Sequence, residues 1–401
     1  MAEPKVRFKR DDGSSYPDLV DKKLGDIGTV LMCKRVFREQ TDSTGDVPFY
    51  KIGTFGGVPD AFISRELYEE LKTKYSFPKK GNVLLSAAGT IGRTVRYDGE
   101  DAFFQDSNIV WLDHDDSVLD DYLYYFYQQA SWKNLEGGTI QRLYNGILLD
   151  KDISIPSLEE QQKIADFLSS VDDVISTSEQ EVANLETQKK AVMKKIFSQE
   201  VRFKKADGTD FPEWEEKTLG ELAVFSKGQG YTKSDLSETG SPIILYGRLY
   251  TKYQTVISEV DTFAEMKPRS VLSKKGDVIV PASGETAEDI SVAAVVDADG
   301  IILGGDINII HPCDAVLPNY LAYSLTFGTP HQEMAKRAQG KSIVHLHNDD
   351  LKAAVIIYPC LEEQRLIADF LSDFDEAIAA AKKELELWKK LKKGLLQQMF
   401  V

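Results

Sequence analysis

The chain is one unit written twice, and this duplication constrains its architecture more than any other feature. Val6-Arg7-Phe8-Lys9-Arg10 returns as Val201-Arg202-Phe203-Lys204-Lys205, and Gly13, Pro17, Leu24 and Gly25 return in the same register as Gly208, Pro212, Leu219 and Gly220. Lys79-Lys80-Gly81 likewise returns as Lys274-Lys275-Gly276. A second block recurs at a slightly longer offset: Pro156, Leu158, Glu159, Glu160, Gln161, Ile164, Ala165, Asp166, Phe167, Leu168, Ser169 and Asp172 become Pro359, Leu361, Glu362, Glu363, Gln364, Ile367, Ala368, Asp369, Phe370, Leu371, Ser372 and Asp375. Between these anchors, from about 28 to 135 and from about 225 to 338, the halves share little beyond strand-and-turn texture. A period this long marks a structural repeat that keeps its frame and varies what the frame holds. The C-terminal Met399-Phe400-Val401 stops just short of where Val6-Arg7-Phe8 resumes, so joined end to end the sequence would close into a ring. Pseudo-two-fold symmetry with neighbouring termini is the expectation.

After each Pro-x-Leu-Glu-Glu-Gln start, apolar residues alternate at spacings of four and three. The first set is Ile164, Leu168, Val171, Ile175, Ser178, Val182, Leu185, Lys189, Val192 and Ile196; the second is Ile367, Leu371, Phe374, Ile378, Ala381, Leu385, Trp388, Lys392, Leu395 and Met399. A phase held this long is a coiled-coil seam rather than the broader stripe of a core helix. Pro156 and Pro359 stand where a helix has not yet begun, and the following glutamates suit the positive end of its dipole. Both seams break at the same places, Ser178 with Ala381 and Lys189 with Lys392, and such residues fix register or partner. Each helix, roughly 33 residues and about 50 Å long, would leave its seam wet alone. Antiparallel pairing with each other is expected; the alternative is two separate domain-capping helices.

At 401 residues the chain suits two domains plus something extended. Its apolar runs are too short for a membrane span, its charged N-terminus has no apolar signal segment, and Cys33, Cys313 and Cys360 lack disulfide or metal spacing. The cytoplasm is the expected compartment. A net charge of −16 counts against nucleic acid, although affinity depends on where the positive charge sits.

No catalytic pattern survives inspection. There is no Pro-Pro pair, hence no Asn/Asp-Pro-Pro-aromatic methyltransferase motif. Gly340-Lys341-Ser342 imitates the end of a phosphate loop, but residue 335 is alanine and the strand–loop–helix context is missing. Asp18, Asp21 and Lys23 imitate a nuclease triplet with the acids too close, and the repeat counterpart Glu216-x-Thr218 loses the lysine. His345 with His347 and His311 with Cys313 lack a second ligand pair for zinc, and Gly228-Gln229-Gly230 lacks the third glycine of a dinucleotide loop.

In order and duplication these segments resemble the specificity (HsdS-type) subunits of type I restriction–modification enzymes, essentially over the whole chain. The carriers are the two Pro-x-Leu-Glu-Glu-Gln-x-x-Ile-Ala-Asp-Phe-Leu helix starts and the Arg-Phe-Lys…Gly…Pro…Leu-Gly segments. To these are added Gly137-Gly138-Thr139-Ile140-Gln141-Arg142 and Gly340-Lys341-Ser342-Ile343-Val344 before each helix. The resemblance implies an α+β chain, with two globular target-recognition domains in pseudo-two-fold arrangement joined by two long helices in an antiparallel coiled coil. It implies domains at 1–150 and 201–355, with helices at 151–200 and 356–401. It also implies a non-catalytic subunit of a DNA adenine methyltransferase and type I endonuclease complex. Each domain would read half of a bipartite site on double-stranded DNA, while the helices set the spacing and dock two methyltransferase subunits; restriction/translocase subunits complete the assembly. S-adenosylmethionine, ATP and magnesium would be used by the partners, with none bound by this chain. Independently of the family, two unlike readers on a symmetric frame suit an interrupted, asymmetric site.

Base readout needs Arg, Lys, Asn, Gln and hydroxyls, and phosphate positioning needs Lys, Arg, Ser, Thr and Tyr. The first half offers Lys51, Thr54, Lys79, Lys80, Ser86, Thr90, Arg93, Gln141 and Arg142; the second offers Arg248, Tyr250, Lys252, Tyr253, Lys274, Lys275, Ser283, Lys341 and His345. The repeated lysine pairs read as phosphate contacts, since both halves keep them. The plain alternative for any one of these residues is a solvated surface. Seam and partner-docking candidates are Ile164, Leu168, Val171, Ile175, Leu185, Ile367, Leu371, Phe374, Ile378 and Trp388. The competing function is a non-enzymatic adaptor that binds protein through its coiled coil, which the net acidity favours.

Overall fold

The computed structural model describes residues 4–132, 142–338 and 344–400. The chain divides into two compact units, residues 1–179 with 384–401, and residues 180–383. Two long helices, Leu158–Phe197 and Leu361–Met399, each contribute to both.

In the first unit, β1 (Val20–Lys23) pairs antiparallel with β9 (Asp152–Ile155). A four-stranded sheet runs in the order β2 (Gly28–Leu31), β8 (Ile109–His114), β5 (Val83–Ser86), β6 (Thr94–Arg96). A smaller sheet has β3 (Val47–Tyr50) between β4 (Phe62–Ile63) and β7 (Phe103–Phe104). The central strand β5 is buried along its whole length, as a continuous apolar run must be when both faces are covered.

The second unit repeats this wiring. β10 (Glu215–Thr218) pairs with β22 (Val355–Tyr358). The larger sheet runs β11 (Ala223–Lys227), β20 (Ile307–Pro312), β16 (Asp277–Pro281), β18 (Ala294–Val296), β14 (Val256–Ile257). The smaller runs β12 (Leu236–Ser237), β15 (Phe263–Ala264), β13 (Ser241–Ile244), β19 (Ile302–Leu303), and a short ladder joins β17 (Ser283–Gly284) to β21 (Val344–His345). The α+β class expected from sequence holds.

The repeated helix-start motif is a clasp. Gln161 is fully buried; its Oε1 accepts the Leu119 amide at 2.8 Å and its Nε2 donates to the Ser117 and Pro156 carbonyls. Gln364 does the same with Leu317, Ala315 and Pro359. One residue earlier, Glu160 and Glu363 are buried carboxylates, each gripped by both arms of one guanidinium: Arg7 at 3.1 and 2.6 Å, Arg202 at 3.2 and 2.8 Å. Phe8 on Phe167 and Phe203 on Phe370 seat the two N-terminal arms edge-on at 5.6 Å. The motif therefore recurs because it ties arm, preceding loop and helix together. A buried carboxylate stripped of its cation is a costly species. Arg202→Ala is expected to destabilise by about 3–5 kcal/mol, and Arg202→Ala with Glu363→Gln by less. Urea melts of the three proteins check the order.

The seam reads as expected. Every seam position is buried or half-buried, with Leu168, Ile367 and Leu371 wholly inaccessible. Ion pairs Glu179–Lys389 and Glu186–Lys382, each 2.6 Å, step up one helix and down the other by seven residues, so the helices run antiparallel. The charged seam breaks are matched. Lys392 meets Asp172 at 2.6 Å, and Lys189 pairs with Asp375. The helices are 40 and 39 residues, longer than the seam alone suggests, because they start directly after the Pro156 and Pro359 boundaries.

Candidate nucleic-acid interface

In the first unit the turn regions after β3, after β5 and before β8 are bonded into one cluster. The Arg93 guanidinium donates to the Phe55 carbonyl at 2.7 Å, and the Ile52 amide donates to Gln105 Oε1 at 2.9 Å. Arg142 donates from Nη2 to the Ser107 carbonyl at 2.8 Å and to Asn108 Oδ1 at 2.9 Å. The sequence candidates Lys51, Thr54, Ser86, Thr90, Arg93 and Arg142 therefore come together, on separate strands' ends. Within the cluster their states differ. Lys51 is paired with Asp60 at 2.8 Å, Thr54 bonds within its own turn, and Thr90 is exposed. Ser86 is buried, donating to the Thr90 carbonyl and accepting the Arg93 amide, so it shapes the loop. Gln141 lies outside the described residues.

Lys79 and Lys80 are exposed but precede β5, at the end of the strand away from the Ser86–Arg93 loop. Lys274 and Lys275 hold the same place before β16, with Lys275 paired to Asp297 at 3.1 Å. The repeated lysines thus stand apart from the loop clusters in both units.

The second unit has a cleft of about 1120 Å³ among its loops, lined by Tyr231, Tyr246, Tyr250, Lys233, Lys252 and Asp306 among others. Tyr250 is exposed and packs edge-on to Tyr246 at 6.1 Å. Arg248 is held down by Asp261, Gln254 and the Glu259 carbonyl, and Lys252 shares Asp261. Those two cations hold the Asp261 carboxyl far below the usual carboxylate range, the lysine contributing most. Tyr253 is interior: its hydroxyl donates to the Ala293 carbonyl at 3.0 Å, and burial pushes its pKa up to about 12. Ser283 is buried and its backbone pairs with that of the exposed His345. Lys341 lies outside the described residues.

Other residues were missed by sequence reasoning. Tyr122 and Tyr125 bond the Ser154 carbonyl and Asp172; Tyr320 and Tyr323 bond the Ile357 carbonyl and Asp375. The shared Tyr-Leu-x-Tyr could have been found inside the segments that otherwise diverge. Among the described residues there is no His/Cys/Asp/Glu cluster fit for a metal ion, and no helix long and apolar enough to cross a membrane.

A family model described as the type I restriction modification DNA specificity domain matches residues 17–187 and again residues 212–387. A provisionally named type I restriction enzyme specificity subunit of Haemophilus influenzae, S.HindORF215P, is 62% identical over 147 residues, 36% of this chain and 38% of that one. The chain thus spans well under half the length of that relative. The MjaVIII specificity subunit of Methanocaldococcus jannaschii is 28% identical over 309 residues, 72% of each chain. The crystal structure of a type I S subunit from M. genitalium has the same fold, with a TM-score of 0.62 at 16% identity, covering 100% of this chain and 99% of that one. Two copies of one domain model, laid on two copies of one sheet wiring, account for most of the sequence, and the chain belongs to the type I restriction–modification DNA specificity family.

Proposed function

We propose that this chain is the non-catalytic subunit that chooses the DNA sequence for a type I restriction–modification complex, each unit reading one half of a bipartite site on double-stranded DNA. The observation that supports it best is that the family's DNA specificity domain occurs twice, on one repeated frame whose loop clusters differ. One frame gives both readers a common mounting, and unlike loops give them unlike targets. The long helices would set the spacing of the half-sites, and their outer faces would dock two methyltransferase subunits. Restriction/translocase subunits would join that core. S-adenosylmethionine, ATP and magnesium would be used by the partners, and the complex would work in the cytoplasm.

The test is to express the chain with its methyltransferase partner and sequence the host methylome. A single interrupted motif that vanishes when this chain is deleted is the expected result. Co-purification with other proteins, but no sequence-dependent methylation or DNA retention, would support the adaptor instead.

A further inference from the structure

The turn from β19 to β20, Gly304-Gly305-Asp306, enters the cleft of the second unit under unusual constraint. The Gly304 amide donates to the Ile244 carbonyl at 2.9 Å, the Gly305 amide to the Gly230 carbonyl at 2.7 Å, and the Asp306 carbonyl accepts the Ala282 amide at 2.8 Å. A Cβ on Gly304 would fall 2.6 Å from a Leu245 methyl, and one on Gly305 would fall 2.9 Å from the Gly230 carbonyl oxygen. At Gly305 the obstacle is backbone, so a glycine there lets the turn lie this close. It carries Asp306 at φ +57°, a left-handed conformation costly for a residue with a side chain. Asp306 is exposed and lines the cleft, and among the described residues no hydrogen bond or ion pair engages its carboxylate. The cleft's other acids are engaged, Asp261 by Arg248 and Lys252, Asp235 by Lys267 at 2.6 Å.

The matching turn of the first unit leads from β7 to β8. There the Asn108 carbonyl accepts the Ala87 amide at 2.7 Å, as the Asp306 carbonyl accepts that of Ala282. The Asn108 side-chain oxygen is taken by Arg142, however, so a guanidinium, a pure donor, sits beside the turn where the second unit has a bare carboxylate, a pure acceptor.

Resting on the DNA-reading function above, we propose that this turn has opposite hydrogen-bonding polarity in the two units, and that Asp306 is a base-reading residue of the second. It takes the exocyclic amino group of cytosine or adenine in the major groove. Those amino groups are the donors displayed there, whereas guanine O6 and N7 and thymine O4 are acceptors that a carboxylate repels. Strand orientation at one base pair is thereby selected, because reversing the pair moves the amino group to the other strand. A fixed backbone holds the acceptor in place before DNA arrives, and the exposed Lys233 of the same cleft is suited to phosphate.

Asp306→Gly removes the carboxylate and suits the φ angle, so the variant is expected to melt no lower than the parent. Both are assembled with their methyltransferase subunits and used to select methylated sites from a library randomised in both half-sites. The expected result is an unchanged first half-site and, at one position of the second, about tenfold weaker discrimination between the two orientations of one base pair. Asp306→Asn, with both donor and acceptor, is expected to accept the reversed pair at that position. Unchanged discrimination throughout the second half-site in Asp306→Gly overturns the proposal, as does equal loss of binding to every sequence by a folded variant. A parent protein with no bipartite preference would instead overturn the functional reading itself.

Discussion

Exchanging residues 28–148 for the corresponding segment of another specificity subunit is expected to rewrite one half of the recognised sequence and leave the other half intact. The segment starts where β2 starts, after β1 has ended; it ends within the short helix Asn145–Leu149 but before β9, so the β1–β9 ladder keeps both strands. What the graft must bring is a matching helix face. In the native unit Tyr122 donates to the Ser154 carbonyl at 2.8 Å, Tyr125 to Asp172 at 3.0 Å, and Gln128 accepts from Lys392 at 2.9 Å. A donor segment with tyrosines at the first two places should seat. One without them takes a donor from the Ser154 carbonyl and from Asp172, and unsatisfied buried polar groups are expensive. Methylome sequencing of cells carrying the hybrid with its methyltransferase reads the outcome. A change in both halves of the motif would refute one reader per unit.

Leu371→Asp is expected to abolish the folded second unit. Leu371 is 0% exposed and packs with Ile196, Ile367 and Ala368 in one apolar cluster. Truncation to alanine at such a site costs about 2–5 kcal/mol, and a carboxylate adds the penalty of an ion with no partner. The total is comparable to the entire stability of a typical domain, roughly 5–15 kcal/mol. Leu387→Asp makes the control, because Leu387 lies on the same helix and is 58% exposed. It should stay within roughly ±0.5 kcal/mol of the parent. Soluble yield and denaturant midpoints decide; a normally folded Leu371→Asp protein would sink the seam assignment.

The frame was legible in the sequence because repetition and heptad phase are one-dimensional signals. Leu168, Leu371 and the two seam lysines could be placed by counting alone. The loops were not, because what brings Arg142 to Asn108, or Asp306 into the cleft, is strand pairing between distant segments. Composition pointed at cations, yet Arg248 and Lys252 proved to be partners of Asp261, while an acid drew no attention in a DNA reader. Ser86 and Tyr253 show the same limit: a polar residue in a reading loop can be the loop's internal brace. The paired tyrosines of the helices Asp120–Gln129 and Pro318–Phe327 were within reach, masked by the divergence around them.

The crossed ion pairs of the long helices bear on how such a chain can change through descent. Asp172 and Lys189 lie on the first helix, Asp375 and Lys392 on the second, and each acid is matched by the other helix's lysine. A substitution inherited in one repeat is therefore judged by the other. Loops can drift or be traded by recombination without consulting their twin, whereas a lost charge on either helix calls for a compensating change some two hundred codons away. The two halves are free to diversify in vocabulary while remaining bound to a common grammar.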